Sequence, residues 1–321
     1  MTVINKNITT LSVTYNNAKE LESTLESLTK IHSQPKEIII IDGGSIDGSL
    51  DIIHSYQKIL HQLIYVSEKD EGIFDAVNKG KKMVRTRLIH YLTAGDIVYG
   101  DCENVTNCDA LPMAWKKLSQ NQLFRQAVAA VPMIGVLDDH DYGANDCHEG
   151  LPKFEAWKQF AKSIFLERFG IPLDDVRRYR PGVYRAWAFG PPGRRTQIVT
   201  LDTRWFRSPF VPTDCRMCPG KERYVPYNKT NGPGGGSGTH PTILGESQWT
   251  WLEGVLREPA ELRFIVSTIQ ILPRGHGWER WGLIPSEVDR LVKLIAKTQA
   301  RGVILLSGDR HTGGIYRVQR A

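Results

Sequence analysis

The stretch RLIHYLTAGDIVYGD, residues 87–101, decides how this chain is read. An apolar run ends in Gly95 and Asp96, and Tyr99 follows three residues later. A strand that delivers an acid just past its C-terminal end is how open α/β sheets present polar groups to a ligand. Upstream the same device recurs. ITTLSVTY (8–15) reads as a β-branched strand, followed by a helix over 18–33 with Leu21, Leu25 and Leu28 at helical spacing. KEIIIIDGG (36–44) is a continuous apolar run closed by an acid and two glycines, the signature of a buried parallel strand. Helix, strand (QLIYVSEKDEG), helix (IFDAVNKGKKMV) and strand then alternate. The first 98 residues therefore read as an open α/β unit with Asp42, Asp70 and Asp96 at or just beyond strand ends.

Downstream the style changes. All eight Trp lie between Trp115 and Trp281. Pro/Gly-rich connections appear, the longest being PYNKTNGPGGGSGTHPT (226–242), read as a surface loop. AVPMIGVLDDHD (130–141), TQIVTLDTR, RFIVSTIQIL and GVILLSGDRH read as strands, each closed by a polar cluster. Helices are expected over 112–130, 152–168, 245–257 and 285–299. The fold class is α/β, with domains at 1–98 and 99–321.

The 321 residues can bury one large core or two smaller ones, and the composition is that of a globular protein. No run approaches the roughly 20 apolar residues of a membrane span. The first residues lack the apolar core of a secretory signal, so a cytoplasmic protein is expected as the sequence is written. The net charge of +6 is uneven. Residues 1–98 carry 11 Lys+Arg against 12 Asp+Glu, whereas 99–321 carry 30 against 23. A basic second half suits anionic small molecules such as phosphate esters; a solvated basic surface explains it equally well. No nucleic-acid-binding motif is present. The five Cys form an odd set, which argues against a complete disulfide framework. The lone C-x-x-C at Cys215 and Cys218 lacks the second ligand pair a structural zinc needs.

The clusters GDIVY, DDHD, LDTR and SGDRH supply carboxylates, a phenol and imidazoles from separate strand ends. That donor set suits a pair of metal ions that clamp a phosphate and activate a water. The long segments 129–146, 182–209, 244–273, 276–282 and 302–311 resemble the alkaline phosphatase D (PhoD-like) metallophosphoesterases, over residues 95–321. This resemblance implies a mixed-sheet metallophosphoesterase-like sandwich that hydrolyses phosphate mono- or diesters. It implies Asp96, Tyr99, Asp139, Asp309 and His311 as metal ligands, with Tyr99 suiting Fe3+. It implies two metal ions, Fe3+ with Ca2+ or another divalent ion. His140 would protonate the leaving oxygen or stabilise the transition state. Arg204 is a catalytic candidate, or else pairs with Asp202 as a buried ion pair. Asn145 and Gln270 are substrate-binding candidates. Residues 1–94 do not match the family's first strands, which carry a further metal ligand.

The segments LSVTYNNAKELESTLESL (11–28), EIIIIDGGSIDGS (37–49) and SEKDEGIFDAVNKG (67–80) resemble family 2 glycosyltransferases, over residues 8–101. That resemblance implies a Rossmann-like nucleotide-diphospho-sugar transferase fragment. Thr14 and Asp42 would hold base and ribose of a UDP- or GDP-sugar. Asp70, Asp75 and Lys79 would line the diphosphate, and Asp96 would hold Mg2+ or Mn2+. The acceptor-binding half of that family is replaced here. The turn GDIVYGD satisfies both patterns, so the chain reads as a chimera that crosses from one family to the other. A phosphoesterase, a nucleotide-sugar binder and an inactive fusion are the three functional expectations.

Overall fold

A computed structural model describes residues 3–30, 33–71, 73–85, 88–90, 96–102, 108–130, 133–213, 223–227, 240–274 and 277–309. The chain divides into two compact units, residues 1–93 with 119–132 and residues 94–118 with 133–310.

In the first unit, β1 (Val3–Thr14), β2 (Ser33–Asp42), β3 (Leu63–Ser67) and β4 (Leu88–His90) form a parallel sheet in the order β3-β2-β1-β4. Ile38, Ile39, Ile40 and Ile41 are all fully buried, as a continuous apolar run with helices on both faces requires. Helices α1 (Ala18–Lys30) and α2 (Ser49–Gln57) accompany Ile38, Ile40 and Ile53 in one core cluster. Helix α3 (Ile73–Met83) packs Ala76 and Val77 with Ile39 and Ile41 in another. The open α/β reading of this segment matches the observed order of elements.

The helix expected over 112–130 is two helices, α4 (Ala110–Gln120) and α5 (Gln122–Ala130). The break has a local cause. Asn121 Oδ1 accepts the Phe124 amide hydrogen at 2.9 Å, the side-chain cap that starts a new helix. α5 then belongs with the first unit, where Asn78 Nδ2 donates to the Leu123 carbonyl at 3.0 Å.

Among the described residues of the second unit, one mixed sheet has the order β10-β9-β6-β5. Its strands are β5 (Arg185–Phe189), β6 (Thr196–Thr200), β9 (Leu262–Ser267) and β10 (Val303–Ser307). β5 runs antiparallel to β6, and the other pairs are parallel. A short ribbon pairs β7 (Val211–Pro212) with β8 (Tyr224–Val225). Helices α6 (Pro152–Arg168), α7 (Gly245–Arg257) and α8 (Pro285–Lys297) lie where the sequence placed them. The strand expected at 130–141 is not formed over 133–138, which is an irregular segment leading into a 3-10 turn at His140–Tyr142. Asp138 donates its amide to the Asp141 side chain at 3.0 Å, so the chain end that a ladder would need is already turned back on itself.

Trp249 and Trp281 pack edge-to-face at 6.1 Å in the larger core of this unit. Beside them the buried carboxylate of Glu287 accepts from Trp249 Nε1 at 3.0 Å, Thr242 Oγ1 at 2.8 Å and the Ile243 amide at 2.7 Å. Removing that acceptor strands three donors together. Glu287→Ala is expected to lose about 2–4 kcal/mol of unfolding free energy, read by urea titration; a loss below about 0.5 kcal/mol would contradict the role.

Cys102 and Cys108 are joined by a disulfide, and Cys147 is a buried free thiol. Cys215 and Cys218 lie outside the described residues, as does the greater part of the loop at 226–242.

Candidate active site

The turn after Gly95 is held by a single carboxylate. Asp141 is fully buried, and its two oxygens accept from the Ile97 amide (2.9 and 3.1 Å), the Val98 amide (2.7 Å) and the Asp138 amide (3.0 Å). The same two loops are laced again on the other side. The Cys102 amide donates to the Gly143 carbonyl at 2.8 Å, and the His140 amide donates to Asp96 Oδ1 at 3.1 Å. Gly143 has φ +83°, and a Cβ there would meet Cys102 Sγ at 2.7 Å, so only glycine fits.

This lacing gathers acids around one cation. The fully buried Arg204 donates from Nε to Asp138 Oδ1 at 2.5 Å and from Nη1 to Glu279 Oε2 at 2.5 Å. Its Nη2 lies 3.4 Å from Asp139 Oδ1 and 3.7 Å from Asp309 Oδ1. The expected alternative, an Arg204–Asp202 ion pair, is not what forms. Asp202 Oδ1 instead accepts the amides of Arg204 and Trp205, and Oδ2 accepts Tyr142 Oη and the Val183 amide. Asp202 is a backbone anchor that turns the chain so that Arg204 faces the acids.

One guanidinium cannot neutralise so many carboxylates. Burial, reinforced by Asp138 and Asp139, pushes Asp96 up to about 8. Burial also takes Asp309 to about 8 against the pull of Arg204, and Glu279 to about 7 against Arg204 and Arg207. Asp138 is raised by burial as well. Asp139 differs: burial opposes its ionisation, but Arg204 and His140 outweigh that and hold it below the usual carboxylate range. Asp139 Oδ1 is buried and accepts no hydrogen bond.

Among the described residues, three groups of donors converge closely enough to hold a cation: Asp96, Asp139 and His140; Asp138, Asp139 and Asp309; and Asp139, Asp146 and Glu279. Within each, the donor atoms lie within 4.8 Å of one another. Crowded, partly unpaired oxygens of this kind fit hard cations.

Crowding has a measurable consequence in metal-free protein. Asp96 and Asp309 keep protons in the folded state that the unfolded chain releases near pH 4. Between about pH 4 and 8 the folded state binds more protons, so stability falls as pH rises through that window. In chelator the melting temperature is expected to be several degrees lower at pH 8 than at pH 5.5, and a divalent cation added at pH 8 should recover it. A melting temperature that climbs steadily from pH 5.5 to 8 in chelator would refute this account.

His140 presents a second feature. Its Nδ1 lies 2.8 Å from Asp101 Oδ1, and its ring packs on Tyr99 at 4.5 Å between centroids. Burial alone would lower its pKa, but the Asp101 hydrogen bond and the acids Asp139 and Asp96 raise it to about 9. Tyr99, whose side chain is more than half exposed, is pushed up to about 12 by partial loss of solvent and by the acids Asp96 and Asp139.

Of the residues singled out in the sequence, Asp96, Asp139, His140, Arg204 and Asp309 come together, with Tyr99 against His140. His311 lies outside the described residues. Asn145 is exposed next to Asp146, and Gln270 is buried, with its main chain bridged to Arg280. Asp101, Asp138, Asp146 and Glu279 were not singled out. Asp138 sat in the quoted DDHD cluster, and Glu279 in HGWERWG, but nothing local marks a Glu as facing an arginine 75 residues away.

In the first unit, Thr14 and Asp42 are register partners at the C-terminal ends of β1 and β2. The Asp42 carboxylate is fully buried and accepts from Ser45 N, Ser45 Oγ and Ser67 Oγ. Asp70 packs on Gly43, where a Cβ would meet Asp70 Oδ2 at 2.7 Å. Lys79 bridges Asp75 at 2.9 Å and Glu68 at 3.0 Å. Asp96 belongs to the second unit.

Comparison with known proteins separates the two parts. The glycosyl transferase family 2 model matches residues 10–102. A PGL/p-HBAD biosynthesis glycosyltransferase of Mycobacterium tuberculosis is 32% identical over 87 residues, which cover 27% of this chain and 34% of that protein. The putative glycosyltransferase EpsH of Bacillus subtilis is 29% identical over 99 residues, 30% of this chain and 29% of that protein. The chain thus spans about a third of the length of these curated relatives. A mannosyltransferase from Pyrobaculum calidifontis aligns over 49% of this chain and 39% of its own, with 16% identity and a TM-score of 0.24. The PhoD-like phosphatase model matches residues 71–321. That match starts earlier than the residue 95 read from the sequence, so 71–102 fit both families. With its matched segment covering most of the sequence and the whole carboxylate cluster, the chain belongs to the PhoD-like phosphatase family.

Proposed function

We propose that the second unit hydrolyses phosphate mono- or diesters at the cluster around Arg204. The observation that carries this reading is the convergence of Asp139 and Asp309 on one buried guanidinium, with Asp96, from a third loop, beside Asp139 and His140. Asp96, Asp139 and Asp309, with Tyr99 and His311, would hold two metal ions, an iron and a second divalent ion. Bound there, the ions supply positive charge for the phosphate oxygens and an acidified water. The protein's own groups do the rest. Arg204 holds the acids at fixed spacing. Asp101 engages His140 Nδ1, which leaves Nε2 for the ester's leaving oxygen. That hydrogen bond to a carboxylate favours the protonated imidazole, the form that can give a proton to the leaving oxygen. As the water oxygen bonds to phosphorus, the phosphorus–oxygen ester bond breaks. The leaving oxygen takes the His140 proton, and the water's proton passes to solvent.

The test is metal content and turnover in one preparation. About two metal ions per chain, and hydrolysis of a generic aryl phosphate that Asp309→Ala abolishes, are expected. Folded protein that takes up metal yet turns over neither a monoester nor a diester would overturn the reading.

A second reading applies to the first unit. Asn16 Oδ1 accepts the Ile46 amide and Ser45 Oγ accepts the Asn16 amide, so the two loops at the C-terminal ends of β1 and β2 are tied together beside Thr14 and Asp42. This favours a nucleotide-sugar site there. Calorimetric titration with UDP- and GDP-sugars in Mn2+ tests it, and absence of heat at millimolar ligand would refute it.

A further inference from the structure

Next to the acid cluster lies a cavity of about 160 Å³ that the cluster does not explain. Its walls include Arg207, Arg223, Asn145, His148, Phe210 and Tyr224. Asp146 belongs to both places. Its amide donates to Asp139 Oδ2 at 2.7 Å, while its own carboxylate faces the cavity, taking Tyr224 Oη at 2.7 Å and Arg223 Nη2 at 3.0 Å. A phosphoryl group seated at the cluster therefore has this cavity beside it for whatever its ester oxygen carries.

The charge around the cluster is one-sided. Asp138, Asp139 and Asp309 all lie against the single guanidinium of Arg204, so acids outnumber cations on that side. On the cavity side the balance differs. Arg207 Nη2 meets Glu279 Oε1 at 2.6 Å, on the carboxylate that Arg204 also holds, and Arg223 meets Asp146 at 3.0 Å, while the buried Nε of both Arg207 and Arg223 donates no hydrogen bond. Arg207 is buried and braced over Phe210 at 4.2 Å, and Arg223 lies over Trp278 at 4.8 Å. Both cations are thereby held in place before a ligand arrives. The volume suits a single ring, since a cavity of roughly 150 Å³ holds benzene.

We propose that this cavity receives the leaving group of the ester and selects one that is compact, planar and anionic, with Arg223 as the specificity-determining residue. The proposal rests on the phosphoesterase reading of the adjacent cluster. It is tested with 4-carboxyphenyl phosphate and its neutral match, 4-carbamoylphenyl phosphate, on the metal-loaded full chain. The ratio of the two kcat/KM values is expected to favour the carboxylate by about tenfold, the size of one charge-assisted hydrogen bond. Arg223→Glu should bring that ratio below one, and Arg223→Lys should keep most of it. Asn145→Asp, at an exposed position on the cavity mouth, should lower the ratio independently should Arg223→Glu fail to fold. A wild-type ratio near one, or a ratio unmoved in folded Arg223→Glu or Asn145→Asp protein, overturns the cavity assignment alone. Turnover of neither ester overturns the phosphoesterase reading, and the cavity assignment falls with it.

Discussion

Arg204→Met is expected to remove about 3–5 kcal/mol of folding stability at neutral pH, enough to leave much of the protein unfolded or insoluble. The methionine fills similar space, so packing loss is small and the effect isolates charge. Asp138 and Asp139 would then be buried without their guanidinium, and Glu279 would keep only Arg207. The deficit should shrink as pH falls. Removing the arginine raises the folded-state pKa of each acid further, so protonation below those values relieves the repulsion, and the variant recovers most at about pH 5. Urea titration at pH 5 and pH 8 measures both effects. A variant within about 1 kcal/mol of the parent at pH 8, or one more destabilised at pH 5, would show that Arg204 is not the keystone of the cluster.

Asp139→Asn is expected to lower kcat/KM for an aryl phosphate by on the order of 10³-fold. Asp139 is the member common to all three groups that could hold a cation, so one isosteric change reaches each of them. The fold should survive it. The amide oxygen of the new side chain can still accept the Asp146 amide hydrogen, and the other position loses a 3.4 Å ion-pair contact with Arg204 rather than a hydrogen bond. Metal content, turnover and melting temperature, measured together, separate a chemical from a structural role. Turnover within tenfold of the parent, with metal retained, would remove Asp139 from the site.

What could be read from the sequence, and what could not, follows from the range of the interactions. An apolar run closed by an acid announces a strand and its C-terminal end, and the positions of Asp42 at the end of β2 and Asp309 after β10 were read that way. The helices α6, α7 and α8 carry their own periodicity and punctuation. The break at Asn121 was missed because a helix continuing through one polar residue looks the same as two helices separated by a cap. The segment before Asp138 has a strand's composition, yet strand formation also needs a neighbour, and composition does not report one. Arg204 was weighed against Asp202 because the two are adjacent in sequence. Its actual partners, Asp138 and Glu279, lie 66 and 75 residues away. Asp101 carried no signal at all, since an acid on a turn is ordinary until a histidine from another loop lands on it.

The grip of Asp141 has a consequence for ancestry. It holds the turn by the main-chain amides of Ile97 and Val98 and its own loop by that of Asp138. A latch that reads only peptide groups is indifferent to whose sequence supplies them. The part of the chain leading into the turn could thus change lineage while Asp96 stayed in step with Asp139. Residues 71–102, which match both family patterns, contain this turn.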